Sequence, residues 1–149
     1  MTDIIIKVIA GVIGTIGFAA IFRLKPLHWI YAALDGLLTC VTYAILLEFT
    51  ENIFISNLFA AFVCAFGAEI FARMGKAPST VFILPGIIAL VPGGTLYYSM
   101  SNLLNENYVE AAQFLLTTVE VAVALGGGII AASVLRIIVF KTYDKIKSR

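Results

Sequence analysis

Charge is scarce in this sequence: 13% of its 149 residues are Asp, Glu, Lys or Arg, whereas soluble domains carry about 25%. Too few charges are available to keep a 16.1 kDa globule in water. Histidine occurs once and cysteine twice, and the formal net charge is +1. That balance excludes an acidic or basic disordered tail, a disulfide scaffold and a nucleic-acid-binding domain. A lone His28 beside Trp29 provides neither a metal-ligand set nor a Ser–His pair, so no metal, no cofactor and no catalysis are expected. The run Gly126–Gly128 lacks the Lys-Ser/Thr of a phosphate loop and sits in an apolar stretch.

What is abundant is apolar surface. Hydrophobic residues make up 61% of the chain, and mean hydropathy is +1.02. A membrane helix needs about 20 mostly apolar residues. Five stretches qualify: 4–22, 27–47, 53–72, 77–104 and 111–140. Connections between them are short. The reading is an all-α membrane protein, a single transmembrane domain over residues 1–149 built as a bundle of five transmembrane helices, the fourth broken at Pro/Gly. The first stretch reads as a retained helix, because Asp3 precedes it and no clean signal-peptide cleavage site follows.

Basic residues accumulate on the cytoplasmic side of membrane proteins. Arg23 and Lys25 follow the first span, Arg73 and Lys76 follow the third, and Arg136, Lys141, Lys145, Lys147 and Arg149 close the chain. The other two loops hold Glu48, Glu51, Glu106 and Glu110. Nine of the ten basic residues thus share one side, which predicts an N-terminus outside and a C-terminus in the cytoplasm. The tail Lys141–Arg149 fits contact with anionic lipid at about 1 kcal/mol per charge.

Small residues at four-residue spacing predict close helix packing: Ala32, Gly36 and Cys40; Ala60, Cys64 and Ala68; Ala10 with Gly14; Gly128 with Ala132. Both cysteines read as small packing residues. Acidic groups inside spans are costly, which makes each a functional candidate. Asp35 lies deep in the second span. It reads either as a proton-coupling or substrate-contacting carboxylate or as a structural carboxyl bonded to a neighbouring hydroxyl. Glu69 sits four residues before Arg73, the spacing of an i,i+4 pair. Glu120 falls in the long fifth span, toward its outer end.

The fourth span is the most informative. Pro85-Gly86 and Pro92-Gly93-Gly94 interrupt an uncharged run that includes Ser79 and Thr80. Proline removes a donor and displaces the carbonyl four residues earlier, so Val81 and Ile88 are expected to have freed carbonyls on one helix face. Unpaired backbone at mid-membrane depth must face protein or a water-filled cavity. A half-helix restarting near Thr95 would aim its positive end there. Discontinuous helices of this type form transporter substrate sites, the alternative being a kink used for packing. Tyr97 lies one turn on, as a site hydroxyl or an interface anchor.

The segment Pro78-Ser79-Thr80-Val81-Phe82…Pro85-Gly86-Ile87-Ile88…Leu90-Val91-Pro92-Gly93-Gly94…Tyr97, together with the Arg23…Pro26 turn and Trp29, resembles the threonine/serine exporter (ThrE) family. Within it the chain is most similar to the small, YjjB-like five-helix subunit of two-component systems, which it also matches in length. Relatives often carry proline where this chain has Ala89. The resemblance implies an exporter of small hydrophilic metabolites, threonine- or serine-like amino acids or dicarboxylates such as succinate, driven by proton-motive force in the bacterial inner membrane. It also implies a larger, YjjP-like membrane subunit with a cytoplasmic domain as partner. Homo-oligomers are compatible with the small-residue stripes. A non-transporting assembly subunit is the competing reading.

Overall fold

In the computed structural model, charged turns set the lengths of the helices. The structure describes the backbone of residues 2–147 and the side chains of residues 5–138, so the basic tail expectation lies outside the described side chains. Six α-helices follow one another: α1 (Thr2–Ile21), α2 (Pro26–Thr50), α3 (Ile53–Gly75), α4 (Thr80–Ile87), α5 (Gly93–Leu104) and α6 (Tyr108–Lys147), with a 3₁₀ turn at Ile88–Leu90. The chain leaves α1, α2, α3 and α5 through Arg23, Glu51, Lys76 and Glu106, whose φ angles of 51°, 51°, 49° and 61° lie in the left-handed region. A non-glycine residue there costs about 1–2 kcal/mol. Closing hydrogen bonds offset it, such as Leu24 N–H to the Ala19 carbonyl at 3.1 Å and Ala77 N–H to the Ala72 carbonyl at 3.0 Å. Helix starts are set equally locally: Pro26 opens α2, and the Asn52 side chain accepts from Ile55 N–H at 3.0 Å to cap α3.

The turn residues alternate in sign, basic, acidic, basic, acidic. With the α4–α5 pair taken as one crossing, Arg23 and Lys76 mark one end of the bundle, the basic end, and Glu51 and Glu106 the other, the acidic end. Arg136 returns to the basic end, where it bonds Glu69.

Three helices are long and apolar enough to cross a membrane: α2, α3 and Tyr108–Ile138 of α6. Residues Thr80–Leu90 and Gly93–Leu104 make a fourth if the pair, bent by 49°, is one span, and Ile5–Ile21 is a shorter apolar helix. The helix break falls where the Pro-Gly pattern predicts, at Val91–Pro92.

Burial is distributed as a lipid solvent requires. The interior is mainly small: Ala32, Ala60, Ala61, Cys64, Ala68 and Ala124 are all fully buried. Large side chains such as Ile13, Phe49, Leu116 and Ile130 point outward. In lipid nothing is gained by hiding a leucine, whereas small residues let backbones approach. α3 lies centrally, packed on α2, α4 and α6, while α1 covers α2, α4 and the 3₁₀ turn. Contact is close at Gly128 of α6, where a Cβ would strike the Leu58 carbonyl and Ala61, and at Gly36 of α2, where it would strike Thr15. In α1 the packing stripe is Gly11, Thr15 and Ala19; Ala10 is exposed and nothing lies within 4 Å of a Cβ at Gly14, so the expected pair is not the stripe that packs.

Candidate translocation site

Asp35 enters the centre of the bundle because the face of α2 that it shares with Ala32, Gly36 and Thr39 is the buried one. Its residue exposure is 0%. The carboxyl group lies between two glycines. A Cβ at Gly67 on α3 would sit 2.5 Å from Oδ1, and one at Gly86 on α4 would sit 2.6 Å from Oδ2. Any other residue at either position would occupy the carboxylate's space. The Cys64 thiol donates to Oδ2 at 3.4 Å, whereas Oδ1 is buried with no hydrogen-bond partner. Among the described residues no salt bridge to Asp35 is found; the pair Arg136–Glu69 lies elsewhere. A buried orphan oxygen of this kind requires an explanation.

The residues singled out in the sequence fall into four places. Asp35, Pro85 and Gly86 meet at this buried centre. Ser79, Thr80, Glu69 and Arg73 line a cavity of about 340 Å³ at the basic end, together with Arg136. The partner that the structure gives Glu69 is Arg136 on α6, where sequence spacing had pointed to Arg73. Helix pairing, invisible in a linear spacing, brings the two together. Pro92 and Thr95 line a cavity of about 250 Å³ toward the acidic end, with Tyr43, Asn57 and Thr117. Thr95 Oγ1 donates to the Pro92 carbonyl at 3.1 Å and lies 2.8 Å from Thr118 Oγ1, which ties the restarted helix to α6.

The remaining candidates face away from the centre. Nothing lies within 4 Å of a Cβ at Gly93 or Gly94. Tyr97 is 68% exposed and packs edge-on to Tyr98 at 5.6 Å. Glu120 is exposed on α6. The freed Ile88 carbonyl accepts from Val91 N–H at 3.3 Å, because the chain tightens into a 3₁₀ turn before Pro92. This backbone oxygen is therefore not left open to a cavity.

Sequence reasoning missed Cys64 as a polar group and expected a hydroxyl as the neighbour of Asp35. It also missed Phe82, fully buried one turn before Gly86 and packed with Ala19, Ala32, Ala68 and Ala72. Ala72 also lines the basic-end cavity, so the Phe82 cluster borders that cavity. Gly67 carried no signal beyond being small.

Across residues 7–135 the sequence matches the family described as "Threonine/Serine exporter, ThrE". The chain belongs to that family. Comparison with curated proteins and with solved structures gave no match. Membership makes this a multi-pass membrane protein with a transport role of the threonine/serine-exporter type, working on a small-molecule substrate in a lipid bilayer.

Proposed function

We propose that the chain is a subunit of an exporter of small hydrophilic metabolites, threonine- or serine-like amino acids or dicarboxylates, driven by proton-motive force, with Asp35 as its proton-carrying group. The observation that carries this reading is the Asp35 carboxyl, buried with one orphan oxygen and seated against Gly86 in the broken α4–α5 segment. A carboxyl without a fixed cation partner is free to exchange a proton or meet a substrate's polar group as the broken segment moves. Thr95, Pro92 and Asn57 on the acidic side and Ser79, Thr80 and Arg73 on the basic side then border the two halves of the path. The Phe82 cluster closes the basic half. With α1 and the bent α4–α5 pair both counted as spans, the domain has five spans, and positive-inside reasoning sets its basic end in the cytoplasm and its N-terminus outside.

The experiment is export measured with Asp35→Asn at several proton gradients. Loss of gradient dependence with residual exchange supports the assignment; unchanged gradient dependence removes Asp35 from it.

An assembly subunit is the second reading, favoured by one observation. Glu120 is an exposed carboxylate on an apolar helix, and lipid is a poor neighbour for it. A larger membrane subunit with its own cytoplasmic domain, carrying a basic or hydrogen-bonding group, fits there. The two readings separate at Gly93 and Gly94. Bulky residues there meet open space and leave the fold intact, so lost export with intact assembly favours transport through this chain. Retained export favours the assembly role.

A further inference from the structure

A cavity of about 520 Å³ lies between α1, α2 and the 3₁₀ turn at the acidic end. That volume is within the range of about 300–1,000 Å³ of small-molecule sites. Its walls are mostly apolar, with three polar contributions: Lys7 from α1, and Tyr43 and Glu48 from α2. Lys7 and Glu48 line one cavity with no salt bridge between them. Lys7 also stands apart in sequence from the basic turn residues Arg23, Lys25, Arg73 and Lys76. The floor is Cys40 against Gly11, where a Cβ would lie 2.5 Å from the Cys40 sulfur and 3.3 Å from the Ala89 Cβ. Glycine at that position allows α1 to close the floor. Tyr43 and Ala89 also line the cavity at Pro92 and Thr95, so the two spaces share a wall at the broken segment.

We propose that Lys7 and Glu48 form a selectivity site for a small zwitterion at the acidic mouth of the path, Lys7 binding the ligand's carboxylate and Glu48 its ammonium group. A separated cation and anion on one apolar wall match a molecule carrying both charges and repel half of a dicarboxylate. The inference rests on the transport reading and sharpens it, because that reading leaves amino acids and dicarboxylates equal. Tyr43, at the shared wall, positions the ligand between this site and the broken segment.

The test is equilibrium binding of labelled L-threonine and labelled succinate to the purified full-length chain, alongside export from cells that produce it. Lys7→Gln, Glu48→Gln and Glu48→Lys are compared with Lys25→Gln, a control at the other end. All three positions are exposed, so folding is retained. Expected results are threonine binding without succinate binding, about tenfold weaker threonine binding in each Gln variant, and a gain of succinate binding in Glu48→Lys. Threonine binding unchanged by Lys7→Gln and Glu48→Gln would mean interfacial charges only and overturns the proposal. Equal binding of both ligands by the unaltered chain overturns it as well. Export that persists without any binding by this chain places the selectivity site elsewhere. Absence of export under all conditions instead sinks the transport reading on which the proposal stands.

Discussion

Replacing Gly86 with alanine adds one methyl group at the point where the Asp35 carboxyl has least room. The new Cβ would lie 2.6 Å from Oδ2 and 3.0 Å from the Cys64 sulfur, at or below the 3.0 Å that real Cβ contacts respect. The carboxyl has nowhere to retreat, because Gly67 bounds it on the other side, with a Cβ position 2.5 Å from Oδ1. Overpacking of this type costs about 1–3 kcal/mol. Against it stands the gain from alanine over glycine in a helix, about 0.5–1 kcal/mol. Gly86→Ala is therefore expected to destabilise by up to about 2.5 kcal/mol, centred on about 1 kcal/mol, the difference between those two terms. Gly14→Ala is the control: its Cβ meets nothing within 4 Å, so only the helix gain of about 0.5–1 kcal/mol applies. Reversible unfolding in mixed detergent micelles, titrated with a denaturing detergent, measures both. A double-mutant cycle with Asp35→Ala then isolates the contact. Removing the carboxylate makes room for the methyl, so the coupling is expected at about 1 kcal/mol or more. If Gly86→Ala matches Gly14→Ala in stability, or if Asp35→Ala brings no relief, the packed carboxylate described here is wrong.

Three further outcomes are expected. Gly128→Val drives side-chain atoms into the Leu58 carbonyl and Ala61 at the α3–α6 contact and lowers stability by about 2–3 kcal/mol; Gly126→Val, with nothing within 4 Å of its Cβ, stays within about 1 kcal/mol by the same unfolding titration. Glu69→Gln weakens the bond to Arg136, whose side chain is 45% exposed, and costs no more than about 1 kcal/mol. A charge swap, Glu69→Arg with Arg136→Glu, is expected to restore what each single reversal loses. Cys64→Ala leaves both Asp35 oxygens without a donor; Cys64→Ser keeps one, so export is expected to fall in Cys64→Ala and be largely retained in Cys64→Ser.

Much of this architecture was legible in the residues because lipid makes backbone satisfaction a local problem. Apolar runs had to become helices, charged residues had to end them, and Pro92 had to break the one helix that contains it. The alternating signs of Arg23, Glu51, Lys76 and Glu106 carry the proposed orientation, and they are read directly along the chain. The status of Asp35 as the residue most in need of an explanation was equally plain.

What the residues did not determine is which way each helix face points. Four-residue spacing marks Gly14 in α1, and the Pro-Gly pattern marks Gly93 as well as Gly86, yet a Cβ meets a neighbouring helix at Gly11 and Gly86 and nothing within 4 Å at Gly14 and Gly93. Rotation of a helix about its axis depends on every neighbour at once, so a stripe read along one helix leaves it open. That rotation put the Cys64 thiol on Asp35, Arg136 on Glu69, and Lys7 across a cavity from Glu48. The linear sequence determined the helices and their breaks because those are set within a few residues. The tertiary structure alone decided the partners, because each contact joins helices whose mutual rotation no local interaction constrains.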